Sequence, residues 1–420
     1  MPIPRRADLV AMAVVLGLGG AAAHAETYYV NATRGNDKTA AGTAANQAFR
    51  TFARAVRELK PGDTLRIASG IYYEQLALSR AGSEDKWITV TGDGPTRPVI
   101  KNLEDAILIT GSYVDLAFVE AASLAEGSAI AIKGAHHVRV ANSVARDSGC
   151  GGIGGQATDY LVIEDNVVRG NAQRSPYQCS GISIYQAKAF DTKPGVHNVI
   201  RRNLSYANMN LVVDNKISQS GGKTTDGNGI IIDDFRGTQS KTPGAPYAAA
   251  TLIENNLVFD NGGRGIHVFL SDNVVVRHNT AFMNLRDKNL MGPRNGELSA
   301  VKASGIVMIN NLAVVRDKKQ IAFLDSNTSG NRWDGNLAVG GERNYVERSD
   351  ARWGEANQHG VDLKLWAPGT DAAAADFHPR PDSPAVGAGV ADQAPADDLE
   401  KRPRPAGKRP TIGALEPKGE

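Results

Sequence analysis

The sequence predicts an all-β protein, a right-handed parallel β-helix whose first coil is capped by a helix. Two repeated patterns predict this fold, one built around asparagine and one around glycine followed by an alternating strand. Glycine supplies 45 of the 420 residues, and no long amphipathic helical pattern appears beyond the first sixty residues. This combination favours many short strands joined by turns.

The N-terminal segment has the pattern of a signal peptide. Two arginines precede an apolar run from Leu9 to Leu18, and small residues follow as far as Ala25. The run is shorter than the ~20 residues that a membrane-spanning helix needs. We therefore expect a signal peptide over residues 1–25, cleaved after Ala25, and a periplasmic or secreted mature chain without a membrane span.

The rest of the chain, residues 26–420, is predicted to form one β-helix domain with a cover at each end. Open end coils need capping. Residues 49–59 place apolar side chains on one helical face before a Lys-Pro-Gly stop, so a helix is expected over the first coil. Residues 386–420 are rich in alanine, proline and charge, which predicts an irregular C-terminal strap.

The first repeated pattern is a short apolar run, an asparagine and a second apolar run. Some members are only 23 to 25 residues apart, as Asn256 and Asn279 are, and a period of this size is typical of a solenoid. Asparagines at one corner of successive coils can hydrogen-bond along the stack. The predicted ladder comprises Asn142, Asn166, Asn203, Asn256, Asn279, Asn311 and Asn336.

The second pattern aligns four glycines, each followed by an alternating strand. Because side chains alternate between the two faces of a strand, the residue after each glycine is expected to point inward. The aligned glycines are Gly152, Gly181, Gly229 and Gly265, and the inward residues are Ile153, Ile182, Ile230 and Ile266. The expected outward rows are Ser183, Ile231 and His267, and then Tyr185, Asp233 and Phe269.

The same alignment predicts a disulfide between the only two cysteines. Cys150 and Cys179 each lie two residues before an aligned glycine, so they should be neighbours on adjacent coils. A coil spacing near 4.8 Å falls within the ~4.4–6.8 Å Cα window of a disulfide.

Polar outward residues near the longest insertions are the candidate functional residues. The insertions are residues 206–225, 237–250 and 284–302, and loops of this length often form functional walls. The set comprises Ser180, Tyr185, Asp226, Asn228, Asp233, Asp234, Arg264 and His267. A sugar chain along the coils would meet them in turn, with Asn228, Ser180 and Asp226 as substrate-binding residues. The net charge of +2 disfavours nucleic acid as a partner, and a monomer is expected.

From Glu26 to Leu415 the chain resembles secreted bacterial β-helix proteins of the pectate-lyase-like superfamily. The stretches GNGIII and LVFDNGGRGIHVF are similar to two coils of polysaccharide lyase family 9. This resemblance implies β-elimination on acidic polysaccharides, a calcium ion held by aspartates and a lysine base. The sequence departs from the family at the base, because Ile231 stands where the family pattern has lysine.

The leading interpretation is therefore a lyase whose base lies on the neighbouring coil. Proton removal at C5 of a uronate needs a base and a group that neutralises the adjacent carboxylate. His267 or Arg264 would be the base, assisted by Tyr185. Calcium on aspartates of the group Asp233, Asp234 and Asp226 would neutralise the carboxylate.

Two other functions stay open from the sequence. One is a glycoside hydrolase of the polygalacturonase type, which shares the fold and uses aspartates. A straight chain would place Asp226 and Asp233 about 23 Å apart, whereas inverting carboxylates lie roughly 6.5–9.5 Å apart. The other is a non-catalytic carbohydrate-binding or structural solenoid.

Overall fold

The chain forms a right-handed parallel β-helix in which each coil contributes one strand to each of three sheets. The structure is a computed structural model that describes residues 24–213, 221–239, 244–292, 295–341 and 345–418. Within these residues, neighbouring strands in all three long sheets run parallel. The predicted fold class is therefore confirmed.

In the part of the chain that the structure describes, the three sheets contain twelve, eleven and ten strands. Sheet 1 comprises Thr27–Val30, Thr64–Ala68, Ile88–Asp93, Val114–Ala117, His136–Ala141, Asp159–Glu164, Val196–Arg201, Ala250–Glu254, Val274–Arg277, Val307–Ile309, Arg332–Asp334 and Arg352–Trp353. Sheet 2 comprises Ile71–Tyr72, Val99–Asn102, Glu120–Ser123, Val144–Arg146, Val167–Arg169, Leu204–Tyr206, Leu257–Phe259, Thr280–Phe282, Leu312–Val314, Leu337–Val339 and Gln358–His359. Sheet 3 comprises Leu76–Leu78, Ile107–Ile109, Ile130–Lys133, Ile153–Gln156, Ile182–Tyr185, Ile230–Asp233, Ile266–Phe269, Gly296–Val301, Ile321–Thr328 and Tyr345–Ser349.

The glycine pattern predicts the register of sheet 3 correctly. The four inward isoleucines pair with one another across adjacent strands and are fully buried: Ile153, Ile182, Ile230 and Ile266. The glycine before each strand allows close packing of the coils. A Cβ on Gly229 would lie 2.7 Å from the carbonyl oxygen of Gly265 and 2.9 Å from Nδ2 of Asn261. Larger residues at this position would force the coils apart.

The asparagine ladder is confirmed from Asn166 to Asn336, and it continues to Asn357. Along it, each Nδ2 atom donates to Oδ1 of the next asparagine at 2.9–3.0 Å. The prediction of Asn142 as a member is wrong by one residue. Asn142 is the left-handed corner residue with φ 48°, and its neighbour Ser143 donates its N–H to Asn166.

A second asparagine ladder, which was not predicted, lies at the next corner of four coils, five residues after members of the first. It comprises Asn171, Asn208, Asn261 and Asn284. Asn284 donates at 2.7 Å to Oε2 of Glu297, a buried acid aligned with the glycines of sheet 3. Glu297 therefore accepts the hydrogen bond that a further asparagine would accept.

The predicted helix covers the first coil, whereas the C-terminal segment, predicted as the cover of the other end, packs along the side of the solenoid on sheet 2. The helix Phe52–Glu58 begins three residues after the predicted start, because the Thr51 side chain caps it by accepting from the N–H of Arg54. Between Leu365–Ala367 and Asp376–Pro379 the chain forms an antiparallel pair. Residues 380–418, without regular strands, then pack on the outer face of sheet 2.

The structure bears only in part on the predicted secretion. The signal-peptide prediction falls on residues 1–25, of which 1–23 lie outside the described residues. In the described part of the chain, no helix is both long and apolar enough to span a membrane.

Candidate functional site

A groove of about 790 Å³ lies on the outer face of sheet 3. Its floor crosses four successive strands, from Ile130–Lys133 to Ile230–Asp233. One residue of each strand pairs with the equivalent residue of the next strand, in the order Lys133, Gln156, Tyr185 and Asp233. Their side chains therefore line the groove one coil spacing apart. The predicted outward row of Tyr185 and Asp233 is therefore confirmed.

The predicted disulfide between Cys150 and Cys179 is present at one side of this groove, with 5.2 Å between the Cα atoms. It joins the segment that precedes the strand Ile153–Gln156 to a loop that carries Tyr177, which is 68% exposed. This loop is one wall of the groove.

Asp226 lies on a turn that the disulfide-linked segment holds in place. Gln178 Oε1 accepts from the N–H of Thr225 at 2.7 Å, and the carbonyl of Cys179 accepts from Gly227 at 2.9 Å. The turn is not extended, since Gly227 has φ 80° and Asn228 Nδ2 donates back to Asp226 Oδ1 at 2.8 Å. The straight-chain estimate of about 23 Å between Asp226 and Asp233 is therefore wrong, and both carboxyl groups line the same groove.

The two carboxyl groups of Asp226 and Asp233 differ in how they hold a proton. Burial, followed by the charge of Asp226, raises the pKa of Asp233 to about 8. Burial also raises the pKa of Asp226, but Arg264 and hydrogen bonds from Thr225 and Asn228 oppose this. Among the described residues, the carboxyl group of Asp233 accepts one hydrogen bond, from Gln239 at 2.7 Å. Asp233 therefore keeps its proton at neutral pH, whereas Arg264, Thr225 and Asn228 favour the ionised form of Asp226.

Asp234 does not fit its predicted role as a calcium ligand. It is fully buried at a left-handed corner with φ 51°. Its two carboxyl oxygens accept four hydrogen bonds, from the N–H and hydroxyl of Thr238, the N–H of Gln239 and the side chain of Gln186. These donors stabilise the corner and leave Asp234 no oxygen directed at the groove.

The described carboxyl groups do not fit a calcium site of clustered ligands. Calcium takes six to eight oxygen ligands, and no group of three or more His, Cys, Asp or Glu residues within the described ranges is placed to hold a metal ion. A calcium ion remains a prediction from the sequence.

Arg264 holds the Asp226 turn rather than offering a base. Its backbone N–H donates to Asn228 Oδ1 at 2.8 Å, and its Nη1 donates to the carbonyl of Thr225 at 2.8 Å. Its Nη2 donates to Asn295. Although burial lowers the pKa of Arg264, the charge of Asp226 opposes the shift. A guanidinium that donates these bonds stays protonated.

His267 lies on the coil beyond Ile231, as the register predicts. It is 5% exposed, and its Nδ1 is 2.7 Å from the hydroxyl of Ser299. Burial and then the charge of Arg264 lower the pKa of His267 well below 6.5, so the ring is neutral. Ile231 is 4% exposed and forms part of the groove floor.

The remaining predicted site residues have different surroundings. Burial and then Asp233 raise the pKa of Tyr185, so its hydroxyl stays protonated in the groove. Ser180 and Asn228 are 2% and 0% exposed, and Asn228 donates to the Ser180 hydroxyl from both its N–H and its Nδ2. These two residues thus position Asp226, and Asn228 has no surface for a substrate.

Several groove residues were missed by the sequence analysis. They are Lys133, Gln156, Tyr177, Gln178, Thr225 and Gln239. The register places Gln156 beside Tyr185 and would have identified it. Tyr177, Gln178 and Gln239 lie on loops whose position depends on tertiary contacts, so no repeat pattern indicates them.

Comparison with known proteins supports the fold and does not supply a family. No protein-family model and no curated protein sequence matches the chain. Among solved structures, pectate lyase Pel9A is similar with a TM-score of 0.54 and 15% identity over 94% of this chain and 96% of that one. A glycoside hydrolase has a TM-score of 0.56 and 9% identity over 80% and 97%. The complex of XylC with xylose has a TM-score of 0.53 and 11% identity over 94% and 99%.

Proposed function

We propose that this chain is an enzyme that cleaves a glycan lying in the groove, with Asp233 as general acid and Asp226 as its ionised partner. The observation that carries the proposal is the presence of both carboxyl groups in one groove, where burial and then the charge of Asp226 raise the pKa of Asp233 to about 8. Two titratable groups whose environments separate their pKa values are typical of an acid–base pair. This arrangement favours hydrolysis.

In this reaction, Asp233 transfers its proton to the glycosidic oxygen as the bond to the anomeric carbon breaks. Asp226 takes a proton from the water molecule whose oxygen forms the new bond to that carbon. Tyr185, paired directly beside Asp233, is placed to hydrogen-bond a sugar hydroxyl. Thr225 Oγ1 donates to Asp226 Oδ2 at 2.9 Å and keeps the carboxylate oriented.

The charge of the groove bears on the substrate. Lys133 is paired at 2.8 Å with Asp105, so it adds little net positive charge. The Asp226 carboxylate would repel a dense row of uronate groups. A neutral or sparsely charged glycan therefore fits better than the acidic polysaccharide that the sequence analysis expected.

β-Elimination on a uronate is the second candidate, favoured by one observation. His267 is held neutral, which is the form a base needs, and its Nε2 makes no hydrogen bond with a described residue. Substrate access argues against this candidate, because His267 is almost fully buried beside Ser299 and offers little surface to a sugar. The similarity between the fold of this chain and that of pectate lyase Pel9A does not decide which reaction is catalysed.

The test is a screen of neutral and acidic polysaccharides that follows new reducing ends and the absorbance of unsaturated products, with and without a chelator. Hydrolysis predicts reducing ends without unsaturation. Asp233→Asn should reduce the rate by about 10²–10⁴-fold, the usual contribution of a general acid, whereas Asp317→Asn, an exposed aspartate outside the groove, should not.

Other outcomes of the screen are equally informative. Unsaturated products that vanish in His267→Ala would establish the lyase. Loss of activity on chelation would establish a metal requirement. Glycan binding without cleavage would establish a non-catalytic carbohydrate-binding solenoid.

A further inference from the structure

We infer that the groove is closed just beyond Asp233, and that the enzyme therefore acts from one end of a glycan chain and releases short products. This inference rests on the proposed function, because it concerns the same groove. It adds the mode of action, which follows from the walls rather than from the acid–base pair.

The residues that line the floor of the groove end at the strand Ile230–Asp233. Outward residues line it on each of the four strands from Ile130–Lys133 to Ile230–Asp233. The next strand of sheet 3, Ile266–Phe269, contributes no lining residue. Four strands span three spacings, or about 14 Å, which is room for only a few sugar units.

The floor beyond Ile231 is covered, and the row that carries Asp233 continues to Phe269, which is partly buried with the Lys302 ammonium 5.8 Å from its ring centre. The outward row that carries Ile231 continues to His267 and Ser299, which are 5% and 0% exposed. A polymer cannot continue along this row, because these outward side chains have almost no accessible surface.

Two insertions that precede the strands Ile230–Asp233 and Gly296–Val301 pair with each other, and we call them the end wall, residues 221–226 and 284–292. Thr224 forms a parallel bridge with Leu290. Its N–H donates to the carbonyl of Asn289, and its carbonyl accepts from Met291 at 2.7 Å. The hydroxyl of Thr224 donates to Asp287.

Arg264 joins the end wall to the floor. Its guanidinium donates to Asn295, three residues after the end of the wall, and to the carbonyl of Thr225, within the end wall. The same segment carries Asp226. The closed end and the proposed carboxylate are thus parts of one hydrogen-bonded unit, so the reacting bond must lie next to the wall.

The opposite end of the groove is open. Lys133, Gln156 and Glu126 line that end and are exposed. A chain can therefore extend outward over Lys133, whereas on the other side it meets the buried side chains of His267 and Ser299. Cleavage beside the closed end releases the few units between the reacting bond and the wall.

The deciding experiment compares viscosity with reducing ends during digestion of a polymer that the enzyme cleaves, with product lengths measured by chromatography. Action from a chain end predicts one short product from the first time point and a slow fall in viscosity. A rapid fall in viscosity with intermediate-length oligomers would overturn this inference and leave the proposed function standing. Absence of cleavage on every glycan tested would overturn both.

A wall variant tests the cause. Asp287→Ala combined with Asn289→Ala removes the bonds to Thr224 and to the carbonyl of Gly222. We expect faster amide exchange in residues 284–292 and at least a several-fold larger share of intermediate-length products than with Asp317→Ala as control. Faster exchange with unchanged product lengths would contradict the role of the wall.

Discussion

At the scale of single residues, the proton on Asp233 determines the expected pH dependence. The pKa of Asp233 is about 8 because of burial and the charge of Asp226. Activity that needs this proton should fall tenfold per pH unit above pH 8. The measurement is kcat/KM from pH 5 to 10, with Asp233→Glu retaining a descending limb and Asp233→Asn lacking one. A rate that keeps rising beyond pH 9 would exclude Asp233 as the acid.

Asp233 also predicts a pH-dependent effect on stability. Because its folded pKa is raised above the ordinary value of 3.8, the folded state retains a proton that the unfolded state releases. The associated stability is fully present below about pH 4 and is lost as pH rises towards 8. Asp233→Asn should therefore raise Tm relative to the native chain, and the gain should grow from pH 5 to pH 8. An equal gain at both pH values, measured by thermal unfolding, would contradict this.

The site shows where residue-level prediction from sequence succeeds and where it stops. The alternation of a strand places Tyr185, Asp233 and Ile231 on the outer face, and it does so correctly. The proximity of Asp226 to Asp233 could not be predicted, because it depends on the left-handed φ of Gly227. The burial of His267 depends on loops that carry no repeat. Its side chain was therefore predicted to be accessible to solvent, because the register places it on the outer face of the strand.

At the scale of elements, the disulfide-linked segment 178–180 is predicted to hold the Asp226 turn for catalysis. Three successive residues of this segment bond to three residues of the turn, ending with the Ser180 hydroxyl and Asn228. Replacing both Cys150 and Cys179 by serine should reduce kcat by about 10- to 100-fold, since small displacements of catalytic groups are costly. Circular dichroism should stay unchanged, because the sheets persist.

The control for this prediction is Gln178→Glu, which keeps the acceptor oxygen for the N–H of Thr225. It should retain most of the activity, whereas Gln178→Ala should lose activity towards the level of the serine double variant. Full activity of the reduced or serine-substituted protein would show that the Asp226 turn keeps its shape without the disulfide.

The asparagine ladder predicts a large stability effect at one position and a small one at another. Nδ2 of Asn256 donates to two carbonyls and to Asn279, and its Oδ1 accepts from Asn203. Asn256→Ala leaves these buried groups unpaired and should cost about 3 kcal/mol or more. Asn142→Ala, outside the ladder, should change stability by about 1 kcal/mol or less, and urea unfolding midpoints compare the two.

The ladder also separates what repeats predict from what they miss. Six of the seven asparagines were identified because one side chain recurs at one corner in every coil. The second ladder was missed although each of its members lies five residues after a member of the first, so the same repeat indicates it. At the next position after Asn284, Glu297 takes the place of a further asparagine. A repeat pattern cannot predict such a change at a single position.

At the scale of the whole molecule, the solenoid has a second apolar core outside its coils. Outward side chains of sheet 2, including Phe259 and Phe282, pack against Phe377 and against Ile412 and Leu415. Most coils of a solenoid contact only their neighbours, whereas the C-terminal segment crosses several of them. The sequence indicated an irregular strap there but not the apolar surface that it covers.

The strap is held to the corners of successive coils. Asn255 donates to the carbonyl of Asp397 at 2.8 Å, and Asn310 donates to that of Val390 at 2.8 Å. Arg404 is buried, donates to Asn255 Oδ1 and pairs with Glu416. Removing either partner of this ion pair alone would leave a buried charge uncompensated.

Deleting residues 386–420 should therefore expose the apolar face of sheet 2 without unfolding the first coils. An uncovered apolar patch of this kind promotes association, so the truncated chain should bind a hydrophobic dye and elute as oligomers, while the full chain elutes as the expected monomer. The N-terminal coils should keep their amide protection, because stability in a solenoid is local. Arg404→Met with Glu416→Leu, which replaces the buried pair by apolar side chains, is the matched control and should stay monomeric. A truncated chain that remains monomeric and binds no dye would show that the strap is not needed to cover sheet 2.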